Sequence, residues 1–114
     1  MTKKSNSTFE VNEDFLKKLD SEQDAVVRAF LAANPGARLV PKAEGQVFPF
    51  LKRQSGRRWE ICQKICEGSS AKEFMAYAKP RGGGIRDISA GLCGGYSPTS
   101  KYWAQSFIDL IAAA

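Results

Sequence analysis

The chain has 114 residues, of which 43% are hydrophobic and 25% charged, enough for one small domain around one core. That balance excludes wholesale disorder and a collagen-like repeat. Histidine is absent, which removes the side chain most used as a general base near neutral pH and as a nitrogen ligand for transition metals.

Seventeen Lys and Arg against twelve Asp and Glu give a net charge of +5, and the excess is unevenly placed. Residues 1–24 hold four basic and six acidic side chains, which leaves thirteen against six in residues 25–114. Arg38, Lys42, Lys52, Arg53, Arg57 and Arg58 face only Glu44 in their stretch, and Lys79, Arg81, Arg86 and Lys101 form a second, looser group. Such a surface attracts a phosphate backbone, an anionic lipid or an acidic protein, because long-range Coulomb attraction does not distinguish among them; it can also serve solubility alone.

Residues 1–8 are almost wholly small and polar and are expected to form a mobile tail ahead of a single helical domain over 9–114. Asn12 is suited to cap a helix whose first turn holds Glu13 and Asp14 near the positive end of the helix dipole, with Phe15, Leu16 and Leu19 as its apolar positions. Ser21 with Asp24 resembles a second capping box, and Val26, Val27, Phe30 and Leu31 supply the stripe of a further helix that Asn34-Pro35-Gly36 stops. The two segments could equally form one helix of about twenty residues, and a break near Asp20 is the favoured reading.

The segments 38–41 and 46–51 read as extended and are expected to pair as a short ribbon or hairpin near residues 38–51. Each contains a proline, which points to an edge and away from the centre of a sheet. Helical spacing then places Trp59, Cys62, Ile65 and Cys66 on one face of a helix ending at Gly68. Ser70 and Glu73 form a capping box for the next helix, which Pro80 ends. Gly82-Gly83-Gly84 is a joint before a short helix carrying Ile85, Ile88 and Leu92, and Gly94-Gly95 close it. Ser97-Pro98 reads as a helix start, with Trp103, Phe107, Leu110 and Ile111 as the stripe of a closing helix. The expected fold is therefore mainly α, with about five short helices and the ribbon.

Cys62, Cys66 and Cys93 are an odd number without a compact framework, which suits a reducing cytoplasm. Their place on an apolar stripe makes them small buried hydrophobes before it makes them metal ligands, since a zinc site wants a fourth ligand at tight spacing. No metal or cofactor is expected. No apolar run reaches the roughly 20 residues of a membrane span, and Asp109 breaks the final one.

Gly82-Gly83-Gly84, flanked by Arg81 and Arg86, can offer backbone N–H groups to a phosphate, though it matches neither nucleotide-binding glycine pattern and serves equally as a plain linker. Residues 85–113 suggest a degenerate helix-turn-helix, with Ala90 or Gly91 as the small residue and Thr99, Ser100, Lys101, Tyr102 and Gln105 on the reading face; neither register places every apolar position well, and an ordinary helix pair explains the pattern too. Tyr77, Tyr96 and Tyr102, interleaved with cations, suit stacking on single-stranded bases or anchoring a protein interface. The carboxylates Glu60, Glu67, Glu73 and Asp87 fall on helix faces and caps, so no acid–base pair emerges and no enzymatic activity is expected.

These features point to a small basic binding protein that engages nucleic acid, DNA in the first instance, through phosphates. Lys52, Arg53, Arg57 and Arg58 would supply one patch, Arg81 and Arg86 a second, and Lys101 with Tyr102 a helix contact. The alternative is a protein-interaction module, such as a small inhibitor or adaptor encoded by a mobile element, docking on an acidic partner. Self-association of the acidic front with the basic rear is a third possibility.

Overall fold

A computed structural model describes residues 7–112. Its elements run in the order β1 (Ser7–Thr8), α1 (Glu13–Lys17), α2 (Asp20–Ala33), β2 (Arg38–Pro41), α3 (Gly56–Cys66), β3 (Ser69–Ser70), α4 (Ala71–Ala78), α5 (Ile85–Cys93) and β4 (Ile108–Ala112). The four strands form one antiparallel sheet in the order β1-β4-β2-β3. The fold is thus mixed α and β, which corrects the expectation of a mainly helical protein.

Local signals position several helices as expected. The Asn12 side chain accepts from the Phe15 N–H at 2.9 Å and starts α1, and α2 ends at Ala33, just before Asn34-Pro35-Gly36. Ser70 caps α4 by accepting from the Glu73 N–H at 3.0 Å. Glycines at positive φ follow α3 and α5, Gly68 at 82° and Gly94 at 90°, a backbone region that disfavours residues with a Cβ. The start of α2 differs: Glu22, not Asp24, reaches back to the helix entry, accepting from the Leu19 N–H at 3.2 Å. Asp24 is turned toward α5, where its carboxylate accepts from the Ser89 hydroxyl at 3.1 Å.

The closing helix and the helix-turn-helix over 85–113 are not formed. Residues 97–104 make successive turns and 108–112 form β4. Ser97 does act as a cap, but of a turn: its hydroxyl accepts from the Thr99 N–H at 3.2 Å and its carbonyl from the Ser100 N–H at 3.0 Å. The chain then folds back on α5, with Ala104 N–H bonded to the Cys93 carbonyl at 2.7 Å and Phe107 N–H to that of Gly91 at 2.9 Å. Along β4 burial alternates, with Ile108, Leu110 and Ala112 inward, the two-residue period of a strand with one covered face.

The ribbon near 38–51 is also replaced. Leu39 pairs with Leu110 and Pro41 with Ile108, while β3 covers only Arg38 and Leu39 on the other side. Pro41 is tolerated next to a central strand because it is the last residue of β2 and lies beyond the β3 ladder. Residues 46–51 pair with no strand. They run irregularly and insert the buried Phe48 ring, stacked on Phe50 at 5.0 Å between centroids. Ser7 and Thr8, expected in the mobile tail, pair with Ala112 and Ile111; the rest of that tail, 1–6, lies outside the described residues.

Helices cover one face of the sheet, α3 against β2 and α5 against β4, and α2 packs on α5. A single cluster including Val27, Leu39, Phe48, Ile61, Ile65, Phe74, Ile88, Leu92, Ile108 and Leu110 fills the space between. The other sheet face carries Arg38 and Val40, and Lys42 pairs with Asp109 at 3.1 Å.

Candidate nucleic-acid interface

Four segments surround a cleft of about 1200 Å³: one turn of α2, residues 49–58, the glycine joint with the first turn of α5, and the turns of 95–102. Each wall has a local cause. Burial of Phe48 anchors the 49–58 segment, because a Cβ on Gly91 of α5 would lie 2.8 Å from the Phe48 ring and 3.1 Å from Ile108; only glycine allows that approach. The close packing of 102–105 on Gly94 in turn holds the 95–102 wall.

Of the residues singled out in the sequence, Lys52, Arg53, Arg57, Arg58, Arg86, Lys101 and Tyr102 line this one cleft. Arg81 does not. The left-handed Gly82 redirects the chain there, and the Arg81 guanidinium lies 3.8 Å over the Tyr77 ring and donates to the Tyr77 carbonyl at 2.7 Å. The expected Arg81–Arg86 patch is therefore split. Lys101 and Tyr102 sit on a turn, which corrects their expected helical placement.

Arg28 completes the set, giving seven cations against Asp24 and Asp87 in the cleft wall. Arg28, Lys52, Arg53, Arg57 and Lys101 are exposed and form no ion pair among the described residues. Arg86 is held differently. It lies 3.0 Å from Asp20 and 3.6 Å from Asp24 in ion-pair contact, and donates from Nη2 to the buried Gln23 at 2.9 Å. Its Nε and Nη1 face those carboxylates without hydrogen-bond alignment. This is an α2–α5 brace whose charge is largely answered within the protein.

The floor of the cleft holds a polar cluster. Asp87, fully buried at the third position of α5, accepts from the Gly84 N–H at 3.0 Å, from the Tyr96 hydroxyl at 2.6 Å and from Nη1 of Arg58. A buried carboxylate needs such partners to remain charged. The Arg58 guanidinium also lies 5.5 Å from the centre of the Tyr96 ring, and Cys62 Sγ is 3.4 Å from the Tyr96 hydroxyl. Burial works against the charge on Arg58, but Asp87 and Tyr96 outweigh it and hold its pKa above the ordinary value. Burial, with Cys62 and Asp87 nearby, pushes the Tyr96 phenol well above its usual range, so it stays a neutral donor.

Sequence reasoning missed Asp87 and Arg28. Asp87 three residues after Gly84 carried a signal, half of a capping box, that was legible as local structure and silent about burial. Arg28 follows Asp24 by one helical turn and so shares its face.

All three cysteines are free and buried. Burial pushes the Cys62 thiol up to about 11 and those of Cys66 and Cys93 to about 12, the behaviour of packed thiols and not of nucleophiles. Among the described residues no group of three His, Cys, Asp or Glu side chains has metal-holding geometry, and no helix is long and apolar enough to cross a membrane. Comparison of the chain with protein-family models, curated proteins and solved structures finds no match.

Proposed function

We propose that the protein binds nucleic acid, with the strand lying in the cationic cleft and held chiefly through its phosphates. The observation that carries this reading is the convergence of seven cations from distant parts of the chain on one concavity, five of them without a carboxylate partner among the described residues. A concave, low-dielectric wall with a strong excess of one sign focuses the field and raises the local concentration of a polyanion. Phe50, Tyr96 and Tyr102 stand among the cations, and rings interleaved with positive charge favour a single strand, whose unstacked bases can enter with the backbone. An acidic protein would answer the same charge and could anchor on the same rings; it is the second reading, and nuclease treatment separates the two. The role is binding, with no catalytic step, and the buried free thiols suit the reducing cytoplasm.

Fluorescence anisotropy with short labelled single-stranded DNA, single-stranded RNA and duplex, each over a salt series, tests this. Binding should weaken linearly on a log–log salt plot, and Arg57→Ala or Lys101→Ala should each flatten the slope by roughly 0.7 for a single strand. Absence of a complex with all three probes at low salt overturns the reading. Recovery of one stoichiometric acidic protein after nuclease treatment would favour a protein partner instead.

A further inference from the structure

The cations of the cleft are not equivalent. Lys52, Arg53 and Arg57 are exposed and form no ion pair among the described residues, and Lys101 has only the Tyr102 ring at 5.3 Å, so no carboxylate fixes any of the four and they give the field its sign without giving it a direction. Arg58 differs in being held by a buried carboxylate. Its side chain is half exposed to the cleft, at 51%, while one edge of the guanidinium is bound to a carboxylate that is itself only 1% exposed. Tyr96 braces it twice, through the ring beside the guanidinium and through the hydroxyl that shares Oδ1 of Asp87. Asp87 is in turn fixed at the entry of α5 by the Gly84 N–H, and a Cβ on Gly83 would meet its Oδ2 at 2.7 Å.

An arginine held by one edge keeps N–H donors on the other, already desolvated on one side and restrained in direction. That is the form in which a guanidinium binds a phosphate oxygen pair with least ordering cost. Lysine cannot reproduce it, because an ammonium has no second edge.

We infer that Arg58 is the fixed phosphodiester-binding group of the cleft, and that Asp87, with Tyr96, is its positioning residue, while the neighbouring exposed cations act through long-range attraction. This rests on the nucleic-acid reading above and assigns within it the contact that sets affinity at a given charge.

The sign of one substitution separates positioning from bulk charge. Asp87→Asn adds one unit of positive charge to the protein, so attraction alone requires tighter binding of the labelled single strand; loss of the Arg58 anchor requires weaker binding. We expect Asp87→Asn to bind about tenfold more weakly. Arg58→Lys, which keeps the charge and leaves Asp87 in place, should lose a similar factor with its salt slope unchanged, and Arg81→Ala, outside the cleft, should match the wild type. Circular dichroism and a thermal melt establish folding of each variant; if Asp87→Asn does not fold, Arg58→Lys decides. Equal or tighter binding by Asp87→Asn, or wild-type affinity in Arg58→Lys, overturns the assignment of Arg58 and leaves the nucleic-acid reading standing. No binding by the wild type to any nucleic acid overturns both.

Discussion

The backbone carbonyl of Tyr102 lies so close to Gly94 that a Cβ on that glycine has no room, and the carbonyl of Gln105 would stand 2.7 Å from the same atom. Two segments eight residues apart are thereby pressed backbone to backbone, and the turn that follows α5 becomes one wall of the cleft. Gly94 therefore does more than end a helix.

Gly94 and Gly82 test that distinction, since both have positive φ, 90° and 82°, but a Cβ at Gly82 meets nothing within 4 Å. Gly82→Ala should lower stability by about 1 kcal/mol, the backbone term alone. Gly94→Ala adds a backbone clash and should lower it by about 3 kcal/mol or more. Urea denaturation of both variants reads the difference.

Strand and helix make opposite predictions for the last apolar residues. A closing helix would bury Leu110 and Ile111 alike; in β4 Leu110 is fully buried and Ile111 only partly. Leu110→Ala is expected to destabilise by about 2–5 kcal/mol, and Ile111→Ala by clearly less in the same denaturation experiment.

The thiols should be inert in the folded protein. With Cys62 raised to about 11 and Cys66 and Cys93 to about 12, almost no thiolate exists near pH 8. A disulfide reagent added to native protein should titrate none of the three rapidly and all three in denaturant. Rapid native labelling of Cys62 would show that the cleft floor opens.

The same thiols make stability fall in alkali. From the unperturbed value of 9.0, unfolded thiols release protons that the folded protein retains up to about 11 and 12. The stabilisation is complete below about pH 9 and is lost as pH rises through the folded values. In that window each buried thiol contributes a slope approaching 1.4 kcal/mol per pH unit, and Cys66→Ala should reduce the measured slope by one thiol.

How much of this was legible follows from the range of each interaction. Asn12, Ser70, Gly68 and Gly94 act on groups within four residues of themselves, so the boundaries they set were readable. Trp103, Phe107 and Ile111 recur at helical spacing, while Ile108, Leu110 and Ala112 recur at strand spacing in the same stretch. Only the pairing of Leu110 with Leu39, some seventy residues away in the chain, chooses between them, because periodicity alone cannot arbitrate a short apolar run. Pro41 misled for a related reason: its cost depends on whether a neighbouring strand needs its missing N–H, and the β3 ladder stops at Leu39, short of it.

By itself the sequence determined the local elements and the chemical character of the surface: where most helices begin and end, that the cysteines belong to an apolar stripe, and that the cations outnumber the carboxylates after residue 24. These follow from contacts within a turn or two and from charges that stay ionised wherever they sit. Tertiary structure alone decided that β4 is a strand, that Asp87 is buried beneath Arg58, and that Arg81 turns away while seven other cations face one cleft. Those outcomes depend on which distant backbones pack together, and that is set by the burial of Phe48, Leu39 and Leu110 against the helices, not by any residue's nearest neighbours.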